Sequence, residues 1–325
     1  MKIGIFGYGN IGKGVELATT QNKDVELVGI FTRRNKNDVK SILNTPVYGA
    51  DELKSFKDKI DILAVCGGSA TELPVLTVEL AKDFNVIDTF DTHANVTEHF
   101  NNVDKVAREN KHVALISCGW DPGLFSLNRL YGDVFLPNGK GYTFWGRGIS
   151  QGHSDAIRHI KGVVDARQYT VPIENALDRI RKGETPELTT REMHLRECFV
   201  VVEEGADKNK IENEIKNMPN YFKDYDTIVN FVSLEELRKN HSGMPHAGYV
   251  FRTGTTGKEN ENKHTLCYNL NIDSNPEFTS QVLIAYARAL DKEYKRGTVG
   301  CLTVFDIRPR DLSIKPYEEL LKHTI

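Results

Sequence analysis

The sequence predicts an α/β protein: a doubly wound parallel sheet first, then an α+β domain built on a mixed or antiparallel sheet. Three observations carry this prediction. Short apolar strands alternate with helical stretches through the first third of the chain. A Gly-x-Gly-x-x-Gly run joins the first strand to the first helix. From about Tyr142 the segments lengthen into β-type runs with only occasional helices.

The first strand is Lys2-Ile3-Gly4-Ile5-Phe6, and the helix after it runs from Lys13 to Gln21. Between them stand Gly7-Tyr8-Gly9-Asn10-Ile11-Gly12. Gly7 permits a tight turn, Gly9 lets backbone amides approach a pyrophosphate, and Gly12 lets helix and strand pack closely. The helix N-terminus then turns its N–H groups towards phosphate. This is the Rossmann fingerprint in its required context, so these six residues are candidate dinucleotide ligands.

The second strand, Val25 to Phe31, identifies the dinucleotide. Where NAD-binding versions place an Asp or Glu for the ribose 2′-hydroxyl, this chain has Thr32-Arg33-Arg34. A carboxylate would repel a 2′-phosphate, whereas guanidinium groups pair with it through several donors. The expected cofactor is therefore NADP, although a solvated basic turn would contain the same residues.

Further along, Ile60–Val65 makes a strand that breaks at Cys66-Gly67-Gly68-Ser69. The helix Glu72–Asp83 follows, with Leu73, Leu76 and Leu80 on one face. Val86–Thr89 is a strand, Val96–Glu109 a helix, and Val113–Ser117 a strand. Ligands bind at the C-terminal ends of such strands, which adds Cys66, Gly67, Gly68, Ser69 and Thr71 to the cofactor candidates.

Past Tyr142 the β-type segments are Tyr142–Trp145, Val164–Val171, His194–Val202, Thr227–Val232, Gly248–Thr253 and His264–Ile272. Glu174–Lys182 and Lys208–Met218 read as helices, and Glu277–Arg296 as a long one. The expected division is a dinucleotide-binding domain over 1–122, with 276–325 packing back on it, and a substrate-binding and dimerisation domain over 123–275. The active site is expected in the cleft between the two domains.

Composition narrows the function classes. Lys plus Arg is 42 against 45 Asp plus Glu, a net charge of −3, which argues against a nucleic-acid surface. No apolar stretch approaches the length of a membrane span. The first strand begins within two residues of Met1, so no signal peptide is expected. Cys66, Cys118, Cys198, Cys267 and Cys301 are widely spaced and never form a Cys-x-x-Cys pair. They read as reduced thiols of a cytoplasmic protein, with neither a disulfide frame nor a metal site.

Candidate chemistry lies on the strand-end loops. Asp91 in Thr89-Phe90-Asp91-Thr92-His93 and Asp121 in Gly119-Trp120-Asp121-Pro122-Gly123 would suit a substrate ammonium group; ordinary loop or capping aspartates would look the same. The stretch Thr143 to Asp155 reads as an aromatic strand end, a glycine-rich polar loop and then a helix. Its amides suit a carboxylate and Trp145 an apolar wall. Arg196 is either a solvated sheet residue or a bidentate carboxylate partner. His246 reads as a loop histidine, either functional or merely exposed.

Taken together, these segments resemble the diaminopimelate dehydrogenases, NADP-dependent D-amino-acid dehydrogenases of bacterial lysine biosynthesis, almost end to end. The specific blocks are Gly119-Trp120-Asp121-Pro122-Gly123 and Ser150-Gln151-Gly152-His153-Ser154-Asp155. Phe144-Trp145-Gly146, Cys198-Phe199-Val200-Val201, Gly243-Met244-Pro245-His246 and Asn275-Pro276 fall in order beside them. The resemblance implies oxidation of the D-centre of meso-2,6-diaminopimelate to L-2-amino-6-oxopimelate and ammonia, reversibly, by a homodimer. It also implies that Asp91, Asp121, Trp120, Trp145, Gln151 and Gly152 hold the reacting centre, and Thr170, Arg196, His246 and Asn275 the distal L-centre. A second aspartate that follows shortly in relatives is Asn95 here, so that position receives no role.

Two other readings compete. Sugar or aldehyde dehydrogenases of the same plan place a lysine in the loop after the catalytic strand, and Asp88-Thr89-Phe90-Asp91 contains none. An NADP-sensing binding protein would have no use for a substrate-clamping set.

Overall fold

The computed structural model describes residues 1–325. The chain divides into two compact units, Met1–Leu127 with Pro276–Ile325, and Asn128–Asn275. In chain order the strands are β1 (Lys2–Phe6), β2 (Glu26–Thr32), β3 (Val47–Gly49), β4 (Ile62–Val65), β5 (Val86–Asp88), β6 (Val113–Leu115), β7 (Lys140–Trp145), β8 (Gly148–Ile149), β9 (Val163–Pro172), β10 (His194–Val202), β11 (Asp226–Phe231), β12 (His246–Thr256), β13 (Asn262–Ile272) and β14 (Gly300–Leu302).

The first unit holds a seven-stranded sheet in the order β14-β6-β5-β4-β1-β2-β3, parallel throughout. Its central strands read as nearly continuous apolar runs because helices cover both faces. On one face Ile3, Ile5, Ile30 and Ile62 pack with Leu283, Tyr286 and Leu290 of the helix Asn275–Lys295. On the other, Phe6, Phe31, Leu63 and Val65 pack with Leu73, Leu76 and Val103. Arg288 anchors the C-terminal helix by donating to both carboxylate oxygens of Asp24 and to the backbone carbonyl of Leu312. Strand order reverses between β1 and β4, and at such a switch point open α/β sheets form their ligand crevice.

The second unit carries two sheets. One is four-stranded, β11-β10-β9-β8, parallel only between β10 and β11; the other is three-stranded and antiparallel, β13-β12-β7. Each has its own apolar core, around Ile157, Cys198, Val200 and Phe222 for the first and Tyr142, Phe144, Leu177 and Phe251 for the second.

Three local expectations change. His246 opens β12 rather than lying in a loop, because its segment pairs with Ile272 of β13. Gln151 and Gly152 form the first turn of a helix, Gln151–Arg158, because the Ser150 side chain accepts the His153 N–H and caps it early. The helix Leu124–Phe135 lies where none was expected.

Candidate functional site

The loop after β1 has the backbone that its glycines demand. Gly7 sits at φ +93°, and a Cβ there would meet the Cys66 carbonyl oxygen at 2.7 Å. A Cβ on Gly12 would stand 2.3 Å from the Gly7 carbonyl oxygen, whereas one on Gly9 would find nothing within 4 Å. Gly7 and Gly12 are thus required by the protein itself, and Gly9 leaves room for something that is not protein. Gly9 begins the helix Asn10–Gln21 without a side-chain cap, and its first turn contains no acidic residue. Such a helix start attracts an anion.

A cavity of about 460 Å³ opens here, walled by Gly7, Tyr8, Gly9, Asn10, Ile11, Thr32, Arg33, Arg34, Cys66, Gly67 and Gly68, with Glu72. Gly12 lies just beneath this surface, against Gly7. Arg34 donates to the Tyr8 carbonyl at 2.8 Å, and its backbone N–H donates to the Thr32 hydroxyl. Arg33 donates to Glu72, whose other oxygen accepts the Gly68 N–H at 2.7 Å. The Gly68 N–H and Arg33 hold the Glu72 carboxyl below its ordinary value.

Beneath the loop, the Tyr8 hydroxyl donates to buried Glu16, which also accepts the Ile42 and Leu43 N–H groups and the Thr45 hydroxyl. Burial, then the bond to Glu16, raises the Tyr8 phenol to about 12. Neither Glu16 nor Glu72 stands out as a site residue in the sequence. A carboxylate on the buried face of a helix was the available signal for the first.

Ser69 and Thr71 stand outside the cavity wall. The Ser69 hydroxyl is turned to accept the Asp91 N–H at 2.8 Å, and Thr71 lies in an exposed turn. Asp91 is exposed after β5. Trp120 is buried edge-on against Phe125, and Asp121 is half-buried in a tight turn where the Gly119 N–H donates to the Pro122 carbonyl. All three belong to the first unit.

In the second unit, Thr170 and Arg196 share one lateral row of the four-stranded sheet. Gly148, Thr170, Arg196 and Thr227 are successive partners across β8, β9, β10 and β11. Arg196 donates to the Thr170 hydroxyl and lies 3.8 Å over the Tyr225 ring. The His246 ring covers Gly148, 2.4 Å from where a Cβ would stand. Asn275 donates its N–H to the Met244 carbonyl at 2.8 Å, two residues from His246. Trp145 ends β7, half-exposed and stacked on His194 at 5.7 Å; its backbone N–H donates to His194 Nε2 at 2.9 Å. Gln151 and Gly152 are exposed at the helix start after β8, and a Cβ on Gly152 would meet nothing.

The electrostatics of this row are lopsided. Arg196 is 7 % exposed, its Nε has no partner, and no carboxylate pairs with it. Burial pulls its guanidinium below the ordinary value. His194 and His153 flank it, and burial followed by the Arg196 charge pushes both down to about 4, so both are neutral near pH 7. A buried cation without an anion is costly to maintain. The row therefore presents an unneutralised site for an anionic group, above all a planar carboxylate.

The fold and these two sites define a dinucleotide-binding α/β protein whose second unit presents a buried, unneutralised guanidinium. Residues 119–274 match the family model for the diaminopimelic acid dehydrogenase C-terminal domain. The chain is 61% identical to the meso-diaminopimelate D-dehydrogenase of Acetivibrio thermocellus over 98% of its own length and 96% of the relative's. Among solved structures, Corynebacterium glutamicum DAP dehydrogenase in complex with DAP superimposes with TM-score 0.92 at 41% identity, covering 100% of this chain and 99% of that one. An engineered D-amino acid dehydrogenase bound to NADP+ gives 0.87 at 39% identity, with the same coverage. The chain belongs to the meso-diaminopimelate D-dehydrogenase family.

Proposed function

We propose that the protein catalyses the NADP-dependent oxidative deamination of the D-centre of meso-2,6-diaminopimelate, giving L-2-amino-6-oxopimelate and ammonia, and the reverse reductive amination that serves lysine biosynthesis. Family membership supports the reaction class. Within the chain, the observation that carries the reading is Arg196: a buried guanidinium with no carboxylate partner, beside Thr170, fits a substrate carboxylate far from a reacting amine.

The cofactor fits the first unit. Space at Gly9, the uncapped helix start and the Arg33-Arg34 pair suit a pyrophosphate and a 2′-phosphate. Bound there, NADP would supply the hydride acceptor, a capacity that no side chain provides. The chain's own residues orient and deprotonate. Asp91 and Asp121 take the ammonium at the D-centre, and one of them, directly or through water, removes the proton that must leave before the C–H bond breaks. Trp145 supplies an apolar wall, with Trp120, Gln151 and Gly152 at the same centre. Arg196, Thr170, His246 and Asn275 fix the L-centre by its carboxylate and amine, and so determine which end of the substrate reacts.

The test measures NADP reduction with meso-, LL- and DD-diaminopimelate and with D-alanine. Turnover of the meso isomer alone agrees with this assignment, and no turnover of any sinks it. Asp121→Ala should lower kcat at least 100-fold, a factor on the order of that lost with a general acid–base group, and leave NADP binding intact.

Self-association into a homodimer belongs to the same reading. Leu130, Tyr131, Val134 and Phe135 form an exposed apolar row on one helix, and β13 is an eleven-residue edge strand exposed along most of its length. Sedimentation at micromolar concentration checks it. No helix is long and apolar enough to cross a membrane. Five free cysteines support a reducing, cytoplasmic setting.

A further inference from the structure

Asp88 ends β5 and is fully buried, in a strand whose other residues, Val86 and Ile87, are apolar and equally buried. Its Oδ1 accepts the backbone N–H groups of Phe90 and Ser117, each at 3.0 Å. Its Oδ2 accepts the Thr77 hydroxyl at 2.8 Å and pairs with His99 Nε2 at 2.7 Å. No lysine or arginine neutralises it. His99 is itself buried, stacked on Phe90 at 4.3 Å, and its Nδ1 has no partner. That arrangement places the imidazole proton on Nε2, directed at the carboxylate.

A carboxylate at this depth is costly unless each lone pair is used, and packing alone would be served by another apolar side chain. The four bonds therefore have a purpose beyond filling space, and two of the donors show which. Phe90 immediately precedes Asp91. Ser117 opens the segment that carries Trp120 and Asp121, and it sits at φ +56°, a left-handed conformation that residues other than glycine seldom adopt. The Asp88 carbonyl adds a third tie by accepting the Cys118 N–H at 2.9 Å. One buried side chain thus fixes the starts of both loops that bear the aspartates, while the phosphate-binding glycines and arginines lie on other strands.

We infer that Asp88, held by His99 and Thr77, is a positioning residue that sets Asp91 and Asp121 for catalysis. The inference rests on the roles given to those two aspartates above. Asn at position 88 keeps one acceptor oxygen for the Phe90 and Ser117 N–H groups but loses the negative charge that strengthens those bonds, and it turns an amide N–H₂ towards the Thr77 and His99 donors that anchored the side chain, so the loops are held less firmly. Misplacement of catalytic groups by fractions of an ångström lowers turnover without loosening the cofactor.

The experiment compares D88N with wild type and with D91A and D121A, using the purified full chain. It reads kcat with meso-diaminopimelate, NADP Kd by fluorescence titration, and the primary isotope effect with substrate deuterated at the D-carbon. D88N should lose 10- to 100-fold in kcat, keep NADP Kd within threefold, and show a larger isotope effect as hydride transfer becomes limiting. Wild-type kcat in D88N, while D121A is impaired, overturns the inference; so does a loss of NADP affinity in step with kcat, which marks general damage. Wild-type turnover in both D91A and D121A would instead overturn the roles of those aspartates. If D88N does not fold, His99 gives the second route: H99F should lower kcat and H99Q, whose amide still donates to Asp88, should restore it. Equal rates in these two overturn the inference.

Discussion

One methyl group at Gly9 and one at Gly12 should have opposite consequences, although the two glycines belong to one motif. At Gly12 the added carbon stands 2.3 Å from the Gly7 carbonyl oxygen, so the backbone must retreat by about 1 Å to reach ordinary contact. Gly7 is held in place, because its N–H is bonded to the Phe31 carbonyl at 2.8 Å. Overpacking of this kind costs about 3 kcal/mol at a rigid site, offset by about 1 kcal/mol of helix propensity. The net loss of about 2 kcal/mol lowers Tm by roughly 4 °C in a chain of this size. At Gly9 the methyl meets nothing within 4 Å. The weaker cap costs about 0.5–1 kcal/mol, and a stiffer unfolded chain returns about as much, so Tm stays put. NADP suffers instead, since a backbone bond to a phosphate oxygen is worth about 1.5–3 kcal/mol, roughly 10- to 100-fold in Kd. Scanning fluorimetry and a fluorescence titration read both numbers. A G9A protein that binds NADP like wild type, or melts below G12A, would refute the division of labour.

Three further outcomes are expected. Arg34→Ala should weaken NADP by roughly 10- to 100-fold and leave NAD unchanged, because only NADP carries the 2′-phosphate; equal losses with both cofactors would count against this assignment of Arg34. Arg196→Met should raise the KM for meso-diaminopimelate by roughly 10- to 100-fold while Tm holds or rises, since the buried charge has no carboxylate partner to lose and its desolvation cost disappears; an unchanged KM would remove Arg196 from the site. Stability should fall on acidification. The unfolded chain takes up a proton on His194 below its ordinary 6.5, whereas the folded protein resists protonation down to about 4 because of burial and Arg196. For His194 alone the loss by pH 4 is on the order of 3 kcal/mol, and His153 acts in the same direction. Chemical denaturation at pH 7, 5.5 and 4.5 should show a shallower decline for H194N, and an identical slope would contradict the cause given.

The sheet core was legible because its strands are short apolar runs and its first turn is spelled in glycines. β3 and the 3₁₀ segment Ala50–Lys59 were not, since a three-residue strand has no period to read and the segment beside it is mostly charged. The helix Leu124–Phe135 was masked because its apolar residues face outward as well as inward. At the site, residue types were readable but environments were not. Arg196 looked like any sheet arginine until β9, β10 and β11 placed it, buried and unneutralised, against Thr170 and Tyr225. Asp88 was visible as part of a strand end, yet its partners Thr77, His99 and Ser117 lie 11 to 29 residues away, beyond any local pattern.

The discontinuity of the first unit sets an order of events during synthesis. The face formed by Ile3, Ile5, Ile30 and Ile62 is covered by Leu283, Tyr286 and Leu290, and β14 closes the β6 edge. About 150 residues of the second unit separate the two halves, which at typical elongation speeds is a wait of roughly 7–30 s. Throughout that interval the nascent nucleotide-binding sheet displays an uncovered apolar face and an open strand edge, the features that holdase chaperones recognise. A chain cut short before residue 276 would therefore contain the whole of the second unit attached to an incomplete first one. Overexpression should be limited by this delay more than by the final stability of either unit.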